Sequence, residues 1–173
     1  MSALFEPWKL ADGVVGFIWR SPFPKAQLLL QHGLGEYSER YVTQYSQLVP
    51  KLNALGIDVF AFDLPGHGRS EGTRGLIDLQ QAVSLHLKAR EELLNSKLPT
   101  VLYGHSLGGL ITAGSLVRSS ANVAAAVIGS SALHQPSKGW ERLLGGVMGR
   151  IAPNAPIPLP RPCLLYTSDA ADE

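Results

Sequence analysis

The sequence predicts an α/β domain built on a mostly parallel β-sheet with helices on both faces. Three observations carry that expectation. Short apolar, strand-like runs alternate with segments of helical periodicity, which is the pattern of βαβ units. Loops rich in glycine follow three of the strand-like runs, at His32-Gly33-Leu34-Gly35, at Asp63 to Gly72 and at Gly104 to Gly108. The chain has 173 residues, 45% of them hydrophobic and 17% charged, enough apolar material for a sizeable core.

The elements follow in order. Leu4–Leu10 and Val14–Arg20 flank Ala11-Asp12-Gly13, an Asp-Gly turn between apolar runs that reads as a β-hairpin. Ser21-Pro22-Phe23-Pro24 breaks it, and Gln27–Gln31 follows as a buried strand ending at the His32-Gly33-Leu34-Gly35 loop. Ser38 is placed to cap a helix carrying Tyr41, Tyr45, Leu48, Leu52 and Leu55 at helical spacing. Pro50 should kink or restart that helix, and Gly56 should end it. Ile57–Phe62 is a β-branched and aromatic strand leading into the loop Asp63-Leu64-Pro65-Gly66-His67-Gly68-Arg69-Ser70. Asp78 with Gln81 resembles a capping box for a helix running to about Asn95. After Pro99 comes the apolar run Val101-Leu102-Tyr103, then the serine turn, another helix, and a strand over Val123–Ile128.

Right-handed crossovers between these strands bring all three loops to one edge of the sheet. Residues 1–133 are thus expected to form the N-terminal part of a core. Beyond His134 the stripe Trp140, Leu143, Leu144, Val147, Met148 and Ile151 reads as an amphipathic helix. Pro153, Pro156, Pro158 and Pro160 follow it, so residues 134–161 are expected to begin a cap above the sheet edge. Residues 162–173, with the chain's single cysteine Cys163, read as translated sequencing-adapter sequence rather than native protein. On that reading the natural protein continues past Arg161.

Charge and composition exclude several classes. A net charge of +1 gives no electrostatic basis for binding nucleic acid. The N-terminus has neither a basic nor an apolar leader segment, and one cysteine allows no disulfide framework, so a cytoplasmic location is expected. Nothing matches a metal-ligand spacing or a phosphate loop, so no metal and no cofactor is expected.

The chemistry gathers at Gly104-His105-Ser106-Leu107-Gly108, a G-x-S-x-G turn between strand and helix that exposes a serine hydroxyl at the sheet edge. Ser106 is the candidate nucleophile. A serine needs a histidine base oriented by a carboxylate, and backbone N–H donors to receive the oxyanion. Leu107, directly after the serine, supplies one donor; Leu34, in the loop after the third strand, supplies the other. Of the five histidines, His32 and His67 lie in glycine-rich loops, His86 lies mid-helix, His105 adjoins the serine and His134 opens the cap. Each reads as structural. The triad order in such folds is Ser, then Asp or Glu, then His; no such pair follows Ser106 before the tail, and Asp169 and Asp172 belong to the tail. The triad acid and base are therefore read as absent from this chain. Glu36, Arg40, Asp63, Arg69 and Glu71 read as solvated or loop-bracing charges.

Taken together, His32–Tyr41, Phe62–Gly72 and Gly104–Gly109 resemble the monoacylglycerol lipase and lysophospholipase branch of the α/β-hydrolases, also labelled serine aminopeptidase-like. The resemblance covers residues 1–160. It implies an eight-stranded sheet, a helical cap that accepts an acyl chain, and cleavage of carboxylic esters of apolar acyl chains through an acyl-enzyme. By position it makes Ser106 the nucleophile and Leu34 and Leu107 the oxyanion donors, with the acid and histidine falling well after the serine. Because they are missing here, the 173-residue chain alone is expected to be inactive. A small apolar ester is the implied partner, with transient membrane-surface contact through the cap and no obligate protein partner. Thioesterase, peptidase and haloperoxidase activities, or a non-catalytic binding role, are the alternatives on the same fold.

Overall fold

A computed structural model describes residues 5–131. They fall within Met1–Leu133, the first of two compact units. The cap and tail expected at 134–161 and 162–173 lie outside the described residues.

Among the described residues six strands form one sheet: β1 (Glu6–Ala11), β2 (Val14–Trp19), β3 (Ala26–Gln31), β4 (Ile57–Phe62), β5 (Thr100–His105) and β6 (Ala125–Gly129). Their order is β1-β2-β4-β3-β5-β6. The hairpin β1–β2 is antiparallel, and β2 lies antiparallel beside β4. The remaining pairs, β4–β3, β3–β5 and β5–β6, are parallel, as the βαβ pattern requires. The chain therefore steps from β3 to one side, to β4, and then crosses β3 to place β5 on the other side. Strand β3 is a topological switch point, where open α/β sheets leave a crevice past the strand ends.

The run Leu28-Leu29-Leu30 in β3 shows why continuous apolar strands belong in the middle. Side chains alternate between faces, so a strand covered on both sides is apolar at every position. Leu29 pairs in register with Phe60 and Leu102. With Leu10, Ile18 and Phe62 these residues pack under Ala82, Val83, Ala89 and Leu93 of helix α3 (Leu79–Leu93) and Ile111 of helix α4 (Leu107–Arg118). Leu28 and Leu30 face the other way. There Phe17, Trp19, Val59 and Ala61 meet Tyr41 and Val42 of helix α1 (Arg40–Thr43) and Val49 of helix α2 (Leu48–Ala54). Each fully buried leucine of this kind contributes about 1.5–3 kcal/mol.

Caps and breaks differ from expectation in two places. Asp78 caps α3 as expected, its carboxylate accepting the N–H groups of Gln80 and Gln81. Ser38 does not cap α1: the N-cap residue is Glu39, and the Ser38 N–H instead donates to the Asp63 carboxylate at 2.8 Å. The helix break falls at Tyr45-Ser46-Gln47, three residues with φ of 47°, 54° and 54°, rather than at Pro50. Pro50 occupies the third position of α2, where its missing N–H has no intrahelical partner to lose. Helix α3 stops at Leu93 and a single 3₁₀ turn over Leu94–Ser96 completes the expected span.

Candidate active site

Ser106 stands between the end of β5 and the first residue of α4, with φ 53° and ψ −117°. That backbone region is strained for any residue with a side chain, by about 1–3 kcal/mol. Its neighbours hold it there. The Ser106 N–H donates to the Gly129 carbonyl at 2.9 Å, and the Ser106 carbonyl accepts from Leu110 at 3.2 Å as α4 begins. The flanking glycines are required by contact: a Cβ on Gly104 would collide with the Gly108 carbonyl, and one on Gly108 with the Gln31 carbonyl. The second of those contacts locks the start of α4 onto the end of β3.

The loop after β3 meets the serine turn across the switch point. A Cβ on Gly33 would lie 3.2 Å from the Ser106 Cβ and 3.3 Å from the His105 carbonyl oxygen. Residues Gly33-Leu34-Gly35-Glu36 form a closed turn, with the Glu36 N–H donating to the Gly33 carbonyl at 3.3 Å. Gly35 has φ +72°, the third-position conformation of a type II turn, which favours glycine. Among the described residues, neither the Leu34 N–H nor the Leu107 N–H has a hydrogen-bond acceptor. The Leu34 side chain is 41% exposed.

Glu36 was expected to be solvated or to brace a loop; it is a buried brace. One carboxylate oxygen accepts the Gly33 N–H and the Tyr41 hydroxyl, both at 3.1 Å. The other accepts the Tyr45 hydroxyl at 2.5 Å and faces the His105 Nδ1 at 3.6 Å. Burial pushes the Glu36 carboxyl up, but His105, Tyr45 and the Gly33 N–H outweigh it and hold the group down at about 2. The Tyr41 and Tyr45 hydroxyls are pushed up, by burial first and then by the Glu36 charge beside them.

Asp63, at the end of β4, ties the second loop to the first. Its carboxylate accepts the Ser38 N–H at 2.8 Å and the Arg69 N–H at 2.9 Å, and its carbonyl accepts the Ser70 hydroxyl at 2.7 Å. His32 bridges the same two loops. Its Nδ1–H donates to the Gly33 carbonyl at 2.8 Å, and its Nε2 accepts the Leu64 N–H at 3.0 Å. That pairing fixes a neutral tautomer, and complete burial pushes its pKa down further. His67 lies against the Pro65 carbonyl at 3.1 Å, and His86 is buried between α3 and α4 with Thr112 at 3.5 Å. His32, His67 and His86 are thus tied to backbone or core. His105 turns its Nδ1 to Glu36, and His134 lies outside the described residues. None of the four described histidines hydrogen-bonds to Ser106 among the described residues.

Sequence reasoning picks out Ser106, Leu34 and Leu107 as candidates, and the fold brings their two loops side by side. Of the two roles read for Glu36 and Asp63, solvated charge or loop brace, the structure shows the brace; what the sequence does not show is their burial and their partners. A signal for Glu36 was available in its position: three residues after Gly33, it can close a turn on its own loop.

Comparison with known proteins places this geometry. The model of a family described as serine aminopeptidase, S33, matches residues 22–171. A monoglyceride lipase homolog of monkeypox virus is 31% identical over 140 residues, covering 78% of this chain and 49% of that protein. Rat monoglyceride lipase is 38% identical over 113 residues, covering 59% of this chain and 34% of its own length. Among solved structures, a monoacylglycerol lipase of Paleococcus ferrophilus superposes with a TM-score of 0.66 at 32% identity, covering 87% of this chain and 53% of that one. The chain spans about half the length of these relatives, or less.

Proposed function

Because this chain belongs to the serine aminopeptidase S33 family of α/β-hydrolases, we propose that it is the nucleophile-bearing part of a serine hydrolase that cleaves carboxylic esters of apolar acyl chains. Monoacylglycerols and lysophospholipids are the substrate class. The observation that carries the proposal is the strained Ser106 backbone set against Gly33 across the β3–β5 switch point.

In this reading the Ser106 hydroxyl attacks the ester carbonyl carbon while a histidine base takes its proton. The carbonyl oxygen becomes an oxyanion and accepts the N–H groups of Leu34 and Leu107, each worth about 2.7–4 kcal/mol of transition-state stabilisation. Collapse expels the alcohol, protonated by the same histidine, and leaves an acyl-serine that water then hydrolyses. The exposed Leu34 side chain offers apolar surface to the acyl group. The described histidines are engaged elsewhere, so the base and its carboxylate are assigned to a part of the protein outside the described residues. Residues 134–161 would form the cap over the acyl chain, with transient contact to a membrane surface. No helix among the described residues is long and apolar enough to cross a membrane; a cytoplasmic location belongs to the proposal.

Fluorophosphonate labelling tests it directly. The full-length protein should be labelled and S106A should not; no labelling of the wild type, or equal labelling of S106A, would sink the proposal.

A further inference from the structure

Beside the Leu34 N–H lies a buried carboxylate, that of Glu36. We infer that Glu36 is a positioning residue for the oxyanion turn, its carboxylate clamping Gly33 so that the Leu34 N–H is presented to the carbonyl on Ser106. The inference rests on the serine-hydrolase reading.

The clamp is reciprocal. The Gly33 N–H donates to the Glu36 side chain at 3.1 Å, and the Glu36 N–H donates to the Gly33 carbonyl at 3.3 Å. Both ends of the turn are thereby fixed to each other, leaving the N–H of its first central residue, Leu34, outside the closing bonds. The turn has little freedom to drift, because Gly33 already stands against Ser106. Every close partner of the carboxylate is a donor: the Gly33 N–H and the Tyr41 and Tyr45 hydroxyls. Such a set suits an ionised carboxylate, which only accepts. The tyrosine rings stack at 4.7 Å, and the Arg40 guanidinium lies 5.4 Å over Tyr45, so the hydroxyls are held as well as the carboxylate. His105 faces the same carboxylate at 3.6 Å and is the residue immediately before the nucleophile. Glu36 thus touches the oxyanion turn and the serine turn at once, without touching the reacting atoms.

Glutamine is nearly isosteric but neutral. The Gly33 N–H can only donate, so the amide must give it the oxygen and turn its NH2 to the Tyr45 hydroxyl. The clamp on Gly33 thereby falls from a charge-assisted hydrogen bond to a weaker neutral one. In the full-length protein, E36Q is expected to lower kcat for a short-chain p-nitrophenyl ester about tenfold or more, the scale set by a small misplacement of catalytic geometry. KM should stay within about twofold, since ground-state binding is untouched. Affinity for an alkyl boronic acid, which forms a tetrahedral adduct on the serine, should fall by the same factor as kcat. A merely structural role would move Tm and KM and leave the boronate factor uncoupled from kcat. If E36Q fails to fold, Y45F decides, because it removes a hydroxyl that holds the carboxylate in place and so loosens its grip on Gly33 without altering the turn itself. It should lower kcat about threefold at constant KM, and an unchanged kcat overturns the inference. Hydrolysis that depends on Ser106 but is unaffected by E36Q overturns the role of Glu36 and leaves the function standing. Hydrolysis that survives S106A overturns the functional reading, and the role of Glu36 with it.

Discussion

Gly33 and Ser106 sit so close that a methyl group on the glycine would lie 3.2 Å from the serine Cβ. The contact joins the ends of two strands that are neighbours in the sheet but far apart in sequence. It also makes Gly33 a test of the site that leaves the core alone. G33A should push the turn away from the serine by a few tenths of an ångström and cut ester hydrolysis about tenfold or more, given the sensitivity of catalysis to such shifts. Thermal melting should move by only a few degrees. Unchanged kcat/KM in the alanine variant would show that the turn plays no part in the reaction.

Ser106, the proposed nucleophile, carries backbone strain. At φ 53° and ψ −117°, relief of the strain is worth about 1–3 kcal/mol, against about 0.5–1 kcal/mol for the extra flexibility of glycine. S106G should therefore abolish labelling and raise the unfolding free energy by about 1 kcal/mol. Chemical denaturation of the two proteins side by side measures the difference. A destabilised S106G would mean that the turn is relaxed in the folded state.

Acid should weaken the fold in two stages. Burial first, and the Arg90 charge second, push His86 down to about 3, whereas in the unfolded chain it titrates near its ordinary 6.5. Between those values the unfolded state binds the proton and the folded state does not, so stability is full above pH 6.5 and falls as pH drops. By pH 5 this one group costs about 2 kcal/mol. Below its ordinary 4.5, Glu36 adds loss in the same direction, down to about 2. Denaturation midpoints from pH 8 to pH 4 should show this slope, and H86Q should flatten its upper part. A midpoint that stays level from pH 7 to pH 5 would contradict the neutral, buried His86.

Asp63 holds two loops with one side chain. In D63N an amide N–H must face either the Ser38 or the Arg69 N–H, both of which now donate to the carboxylate. The cost should be about 1–3 kcal/mol of stability. Because Ser38 lies just past the Gly33–Glu36 turn proposed to receive the oxyanion, hydrolysis should fall more steeply than stability does. Equal losses in D63N and in a surface control such as D12N would remove Asp63 from this role.

Much of the fold was legible because its signals are local. Strand alternation, the Asp78 cap and the G-x-S-x-G turn are each specified within a few residues, and their elements lie where the pattern puts them. The departures come from tertiary contacts. Ser38 is in a good capping position, yet its N–H is drawn to a carboxylate 25 residues away. The left-handed break at Tyr45–Gln47 contains no glycine to announce it. Glu36 and Asp63 look like ordinary loop charges because only the folded loops surround them with donors. The candidate site is readable at its serine, whose motif is contiguous, but the partners of Glu36 and Asp63 are not, because they are assembled from β3, α1 and the loop after β4.

The crossing of β3 by the β4-to-β5 connection also sets a timetable. The β3–β5 ladder pairs Gln27 with Thr100 and ends at Gln31 with Gly104, a separation of 73 residues at both ends. Closing so long a loop is slow compared with forming helices or the hairpin. As the chain leaves the ribosome, the turn at Gly33 exists long before the strand that gives it a neighbour. The geometry proposed at Ser106 is thus incomplete until this long-range pairing forms, and during refolding of the full-length protein hydrolysis should return after the far-ultraviolet signal has recovered.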